Sequence, residues 1–271
     1  MADLPCIDSL WDDSPWGDAP GIVDETGDFA VIYKPPFMHS APLGPGRAGT
    51  LVEWYARVYP PLLALRGLKP AEGGLIHRLD YETEGLVLMG KTQAALDALL
   101  LGQRRGLMVK EYCALTERKA GGNLPGFPPP PFGEPPGTPF LIRSFFRPWG
   151  PGRKAVRPVE SLFPGGKDTA GDQGRPYTTE VLAWEQREGS ASFHLRLRRG
   201  FRHQIRCHLS WLGMPVRRDA LYGAPEGIAE TGRPFALRSR FIGFLDPRSG
   251  EKREYSLPDY AASRAGQNKR F

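Results

Sequence analysis

Cysteine is scarce: Cys6, Cys113 and Cys207 are the only three in 271 residues, far apart and with no Cys-x-x-Cys spacing. That argues against a disulfide scaffold and a zinc cluster, and makes a reducing cytoplasm the expected compartment. Long apolar runs are missing too. No segment approaches 18 uninterrupted apolar residues, so no membrane span is expected. The acidic start, Met1-Ala2-Asp3-Leu4-Pro5, lacks the apolar stretch of a secretory signal. Acidic excess is also absent. The formal net charge is +6, which permits a polyanionic partner without requiring one. Its distribution says more: the first 28 residues are acidic, while Lys and Arg gather in 143–157, 196–206 and the C-terminus. That layout suits a basic middle facing nucleic acid.

What is present reads as short strands and helices. Residues 1–27 show no clear period and read as an irregular lead-in. Asp28-Phe29-Ala30-Val31-Ile32-Tyr33-Lys34 reads as a strand that Pro35 ends, because proline has no N–H for a ladder. Lys34 then lies at a strand end, and whether it is an ordinary exposed lysine or a placed one stays open. Thr50 and Glu53 have capping-box spacing, which predicts a helix over Leu51 to Val58, stopping before Pro60-Pro61. Leu86 to Met89 reads as a buried strand preceded by the polar tetrad His77-Arg78-Leu79-Asp80 and, further back, by Gly73-Gly74. Thr92 caps a second helix with Leu96, Leu99 and Leu100 on one face, ended by Gly102 or Gly106. Met108 to Leu115 reads as a strand on which Lys110 and Tyr112 share a side; that side faces polar surroundings, or Tyr112 simply packs, as a strand tyrosine more often does.

Proline and glycine crowd 121–139, where Pro128 to Pro131 reads as extended rather than packed. In 141–159, Arg143, Arg147, Arg153, Lys154 and Arg157 interleave with Phe145, Phe146 and Trp149, a composition that suits phosphate contact and base stacking and equally a solvated loop anchored by a few aromatics. Residues 164–176 are Gly-rich and read as mobile. Tyr177 to Glu185 and Ala191 to Arg199 read as a hairpin around Glu188-Gly189, with Phe193, Leu195 and Leu197 buried opposite His194, Arg196 and Arg198. Ile205, Leu209 and Leu212 predict an amphipathic helix ending at Gly213. If it starts near Arg202, then Arg202 and Arg206 lie one turn apart and form an anion site at the helix start. His203 and His208 diverge around that helix with no acidic or Cys-x-x-Cys partner following, so no metal is expected. Phe235 to Asp246 and Arg253 to Leu257 read as strands joined by the turn Asp246-Pro247-Arg248-Ser249-Gly250, and 259–271 as a basic tail.

From about Asp28 to Pro258 the chain resembles the RluA-type pseudouridine synthases, through four motifs in the family's order. These are Phe29 to Pro35, ending in Lys-Pro; His77-Arg78-Leu79-Asp80 with Thr83 and Gly85-Leu86; Lys110-Glu111-Tyr112-Cys113-Ala114-Leu115; and His203-Gln204-Ile205-Arg206-Cys207-His208-Leu209, followed by Gly213, Pro215, Asp219, Leu221, Tyr222 and Gly223. The resemblance implies an α+β pseudouridine synthase fold, a mixed, mostly antiparallel sheet with flanking helices and a central catalytic cleft. The catalytic domain would run over 28–258, with a Pro/Gly-rich and basic insertion at about 119–176. It implies Asp80 as the essential nucleophile, Tyr112 as the motif tyrosine and Arg206 as the basic partner of the aspartate. Arg78 would help displace the target uridine from its stack. His77, Thr83, Arg202, His203 and Gln204 are expected to serve substrate binding. The expected partner is structured RNA, rRNA or tRNA, with no cofactor, no metal and no membrane, and a monomer is expected.

That chemistry suits the residues. Uridine becomes pseudouridine when the glycosidic bond breaks, the base turns and C5 joins C1′, so no electron or group carrier is needed. A carboxylate can act covalently on ribose or base, an arginine keeps it ionised, and a tyrosine can stack on the base and assist removal of the C5 proton. The atoms lie inside a stack, so the base must be flipped out. Whether Asp80 attacks C1′, attacks the ring or acts as a base stays open. Three departures stand out. The family's Gly-Arg-(Thr/Ser)-His-Gln is Gly200-Phe201-Arg202-His203-Gln204 here. Glu84 stands where Ser is common, at what reads as a tolerant sheet edge. The residues ahead of the first strand are too few for the S4 RNA-binding domain of many relatives. The rivals are a non-catalytic RNA-binding protein keeping the fold, which has no need of Asp80, Tyr112 and Arg206 together, and a two-carboxylate glycosidase, for which neither Glu82 nor Glu84 is singled out.

Overall fold

Backbone pairing begins earlier than the sequence pattern indicates. In the computed structural model, which describes residues 17–44, 49–118, 123–160, 174–223 and 235–257, β1 (Gly21–Glu25) lies inside the lead-in read as irregular. It pairs antiparallel with β2 (Phe29–Lys34), and its register shifts between Ile22 and Asp24. Such a shift breaks the period-two alternation by which a strand is recognised. The ends of the chain, 259–271 and most of the lead-in, lie outside the described residues, as does most of 164–176.

By their contacts the residues form two units, Met1–Glu111 with Arg238–Phe271, and Tyr112–Leu237. In the first, β2 pairs antiparallel with β3 (Glu84–Gly90), and every residue of both is buried. Burial on both faces is why these strands read as continuous apolar runs rather than as alternation. α1 (Leu51–Val58) starts at the expected capping box: the Thr50 hydroxyl accepts from Glu53 N at 3.3 Å, and the Glu53 carboxylate accepts from Thr50 N at 2.9 Å. α2 (Gln93–Arg104) is capped by Thr92, buries Ala95, Leu96, Leu99 and Leu100, and runs past Gly102. Gly106, at φ +73°, makes the turn beyond it.

The strand predicted from Met108 is β4 (Val109–Glu117), which carries the chain into the second unit. There β5 (Phe140–Trp149), β6 (Ala155–Val159), β7 (Tyr177–Arg187) and β8 (Ser190–Leu197) complete a sheet ordered β4-β8-β7-β5-β6. On β8 the predicted alternation holds, with Phe193, Leu195 and Leu197 buried and His194 and Arg196 half-buried. The basic aromatic segment is the β5–β6 hairpin. Its Phe146 is a core residue, in a cluster with Val156, Cys207 and Tyr222, and Trp149 donates to Pro125 O at 3.0 Å. Two of its three aromatics are therefore packed rather than offered to bases.

The proline-rich segment is irregular but not unpacked, contrary to expectation. Trp211 donates to Pro128 O and Pro129 O at 3.1 and 2.8 Å, Trp184 to Pro136 O at 3.1 Å, and Asn123 to Pro128 O at 2.8 Å. Proline carbonyls keep both lone pairs while their nitrogens have no hydrogen to offer, so indole N–H groups are apt partners.

The helix predicted near Arg202 is α3 (Gln204–Trp211), and it departs from expectation twice. All eight of its residues are buried, so it is a core helix rather than an amphipathic one. It also starts after His203, whose φ of +56° bars continuation toward the N-terminus. Its C-terminus is as predicted. Gly213, at φ +76°, lets Met214 N reach Leu209 O and Gly213 N reach Ser210 O.

Back in the first unit, β9 (Leu237–Leu245) pairs parallel with β3 through Glu84 and Gly85, and β10 (Lys252–Ser256) adds antiparallel to β9 across the predicted turn. The core here gathers Phe29, Leu86, Leu88, Leu96, Leu99, Ile242 and Phe244. Each such side chain removed from water contributes about 1.5–3 kcal/mol before entropy is counted. Among the described residues no helix is long and apolar enough to cross a membrane.

Candidate active site

The loop before β3 is pinned from both sides, and Asp80 sits at its bend. Ile76 N donates to Leu88 O, which ties the start of the loop to the strand that follows it. Ser40 clamps Leu79: its hydroxyl accepts from Leu79 N at 3.0 Å and donates to Leu79 O at 2.9 Å. Thr83 N closes a turn onto Asp80 O at 3.2 Å. Gly85, at φ +124°, lies so close to Ser239 that a Cβ would run into that residue's carbonyl, so the motif glycine is a steric requirement. Between these anchors Asp80 is half-buried and Arg78 is exposed, with an ion pair to Glu72 at 3.3 Å.

For Lys34 the sequence leaves an ordinary exposed lysine as one of two readings, and that one is overturned. It is fully buried, and its ammonium donates to Pro35 O, Met38 O and Tyr81 O at 2.9, 2.8 and 3.4 Å. Burial pulls its pKa down to about 7, against the opposing pull of Asp80, Glu84 and Glu82. One cation thus organises the carbonyls of both the 35–38 loop and the Asp80 loop. The sequence signal for it is a lysine ending a strand that is otherwise apolar and closed by proline.

Glu84 is not at a sheet edge either. It is buried on a strand flanked by β2 and β9, accepts from Tyr33 Oη at 2.5 Å, and pairs with the Arg238 guanidinium at 2.7 Å. A buried carboxylate is tolerable only with such partners; Arg238 and Tyr33 supply them.

His77 is buried, with Nε2 at 3.3 Å from Leu86 O. Burial, and then the nearby Lys110, push its pKa down to about 3, so it is neutral and holds the loop. Thr83, which closes the same loop, is buried. Lys110 is itself buried and its pKa is pulled down to about 8 by desolvation, which corrects the polar surroundings expected for that side of β4. Tyr112, two residues on, is also buried, in keeping with the packed reading of a strand tyrosine.

In the second unit, Arg206 is almost fully buried and meets Asp219 in a two-point contact, Nε to Oδ2 at 2.7 Å and Nη2 to Oδ1 at 2.8 Å. The rings of Phe235 and Tyr222 lie 4.9 and 5.5 Å from its guanidinium carbon. A planar fork held by a carboxylate and two rings is a preorganised cation. Asp219 belongs to the quoted motif, but its pairing with Arg206 does not follow from the sequence, because it lies thirteen positions on, past a helix end. The expected convergence of Arg202 with Arg206 does not occur. Arg202 precedes α3, is exposed, and donates to Arg153 O and Ala155 O at 2.9 and 3.1 Å. Gln204 is buried, its amide donating to Thr178 O and Thr179 Oγ1 at 3.0 and 3.1 Å. His203 remains half-buried, with Nδ1 3.3 Å from Tyr222 Oη. Among the described residues no group of three or more His, Cys, Asp or Glu side chains could hold a metal.

Comparison with known proteins gives these residues a family. A family model described as RNA pseudouridylate synthase matches residues 28–211. An uncharacterized RNA pseudouridine synthase of Chloroflexus aurantiacus is 32% identical over 82% of this chain and 59% of its own length. The ribosomal large subunit pseudouridine synthase D of Escherichia coli K12 is 27% identical over 88% of this chain and 66% of its own. This chain thus spans about three-fifths to two-thirds of the length of these relatives. Human RNA pseudouridylate synthase domain containing 1 shares the fold, with a TM-score of 0.59 and 21% identity over 89% of this chain and 84% of that one. On the family match and on its four motifs, the chain belongs to the RNA pseudouridylate synthase family.

Proposed function

We propose that this protein is an RNA pseudouridine synthase that isomerises specific uridines of structured RNA, rRNA or tRNA, without a cofactor. The observation that carries the reading is the Asp80 loop: a carboxylate left half-buried on a backbone fixed by Ser40, Lys34 and Thr83. Such rigidity is what a reacting group needs and what a solvated surface aspartate lacks. Asp80 acts on the ribose or the pyrimidine ring of the flipped nucleotide while the N1–C1′ bond breaks. C5 then joins C1′, the C5 proton is lost and N1 gains one. Arg206 is the cation assigned to that carboxylate, and Tyr112 the ring and hydroxyl assigned to the base. Arg78, Arg202 and His203, which are not fully buried, are assigned to RNA contact. His77, Thr83 and Gln204, which are buried, hold those residues in place.

The test replaces Asp80 with Asn, which keeps the size and removes the charge. Pseudouridine mapping of cellular RNA with and without the gene gives the substrate, and that RNA is then assayed in vitro. Asp80→Asn is expected to bind the RNA with near wild-type affinity and to form no pseudouridine. Wild-type turnover by this variant would reject Asp80 as the catalytic residue.

A further inference from the structure

Beside Asp80 the surface carries three aromatic rings that the isomerisation chemistry does not use. Tyr81, the next residue, is 42% exposed, and Phe37 is 41% exposed. Their ring centroids lie 5.9 Å apart at an interplanar angle of 64°, and His39 lies 4.6 Å from Tyr81, tilted by 36°. Large aromatic rings are ordinarily buried for the apolar area they remove from water, and here two of them are held out together. The backbone is also committed to this arrangement. Phe37 has φ +59°, a left-handed conformation that a bulky side chain rarely adopts and that concentrates at functional sites. The two loops that bear the rings share one anchor: Lys34 Nζ binds the carbonyls of Met38 and Tyr81, the neighbours in chain of Phe37 and Asp80 respectively. Arg78, on the same loop, is exposed and adds a cation suited to phosphate.

We propose that Phe37, His39 and Tyr81 form a stacking platform for an RNA base next to the uridine presented to Asp80. This rests on the reading of the protein as an RNA-acting enzyme. A flipped nucleotide leaves its neighbours without their own stacking partner, and an exposed ring stacks on any base because every base has a π-face. The platform is therefore tolerant of sequence at that position and selective for a single-stranded or readily unstacked site. Tyr81 provides the ring nearest the reacting carboxylate, and Phe37 and His39 hold it through edge and tilted contacts.

The probe is single-stranded oligouridine carrying one 2-aminopurine, whose fluorescence falls when it stacks on a ring; it requires no knowledge of the natural RNA. Wild-type protein, Asp80→Asn and Tyr81→Phe are expected to bind it and quench it alike. Tyr81→Ala and Phe37→Ala are expected to bind about tenfold or more weakly and to lose most of the quench, with unchanged thermal melting for Tyr81→Ala because that ring is exposed. Equal affinity and equal quenching by Tyr81→Ala and wild type overturn the platform. The two readings fail separately. Pseudouridine formed on cellular RNA with quenching indifferent to Tyr81 removes the platform alone, and Tyr81-dependent quenching without pseudouridine removes the enzymatic assignment.

Discussion

A buried imidazole with a hydroxyl on each nitrogen is stable only while it is neutral. His208 is such a residue: Nε2 lies 3.0 Å from Ser144 Oγ and Nδ1 2.8 Å from Thr179 Oγ1, with the Phe146 and Trp211 rings alongside. Gln204 joins the network through Thr179 Oγ1. Burial pushes the His208 pKa down to about 3, as it does for His77. The unfolded chain binds these protons more readily than the folded one between pH 3 and about 6.5. The stability they contribute is thus complete above pH 6.5 and is lost as pH falls toward 3. Replacing His208 with Gln, which keeps a donor and an acceptor but does not titrate, is expected to flatten the acid side of a plot of unfolding free energy against pH, with His77 and, at its acid end, the Glu25 and Asp246 carboxylates whose pKa values are lowered supplying the remaining slope. Urea melts at intervals over that range measure it, and an unchanged slope would show that His208 does not titrate on unfolding. The same network seats α3, which carries Arg206, so the variant is also expected to lower turnover more than RNA binding. Residues of this kind are poorly legible in sequence. A histidine, a lysine such as Lys34 and a glutamate such as Glu84 look solvated until the strands around them are known to be covered on both faces.

Elements whose rules are local were readable, and those shaped by distant contacts were not. The capping box of α1, the leucine face of α2, the apolar runs of β2 and β3 and the turn between β9 and β10 each depend on a few neighbouring residues. The start of α3 depends instead on a left-handed His203 whose ring sits against Tyr222, nineteen residues away, and no propensity encodes that. The proline-rich segment shows the same limit. Its extended backbone follows from composition, but its attachment depends on tryptophans far off in the chain, with Trp211 bonded to two carbonyls at once. Trp211→Phe keeps most of the apolar volume and removes the indole N–H. It is expected to cost about 1–3 kcal/mol and to open 123–139 to limited proteolysis, read as faster cleavage within that stretch at unchanged cleavage elsewhere. Equal cleavage rates in the variant and wild type would mean that the segment is held by its other ties, the apolar contacts of Leu124 and Phe127 and the bonds from Trp149, Trp184 and Arg157.

At the scale of the whole molecule, a net charge of +6 favours the approach of a polyanion, which is what the proposed RNA substrate is. The sequence located its densest part in 141–157 and left open whether those residues bind RNA or merely solvate a loop. The β5–β6 hairpin narrows the choice by sorting them. Arg157 donates to Gly126 O at 2.9 Å and Arg153 gives its carbonyl to Arg202, so both also hold local structure. Arg143 and Lys154 are exposed, on β5 and just before β6. Removing charge from the second pair therefore tests electrostatics with the least disturbance of the fold. If both meet phosphates, Arg143→Ala with Lys154→Ala is expected to weaken RNA binding at low salt. The slope of log affinity against log salt concentration would become shallower by about 0.7 for each phosphate of a single strand that the protein no longer neutralises. Turnover at saturating RNA is expected to stay near wild type, because both residues are exposed and neither is assigned to the reacting nucleotide. Arg157→Ala should instead lower the melting temperature. An unchanged salt slope in the double variant would return the hairpin to a solvated surface and place the RNA-binding charge on Arg78, Arg202 and their neighbours.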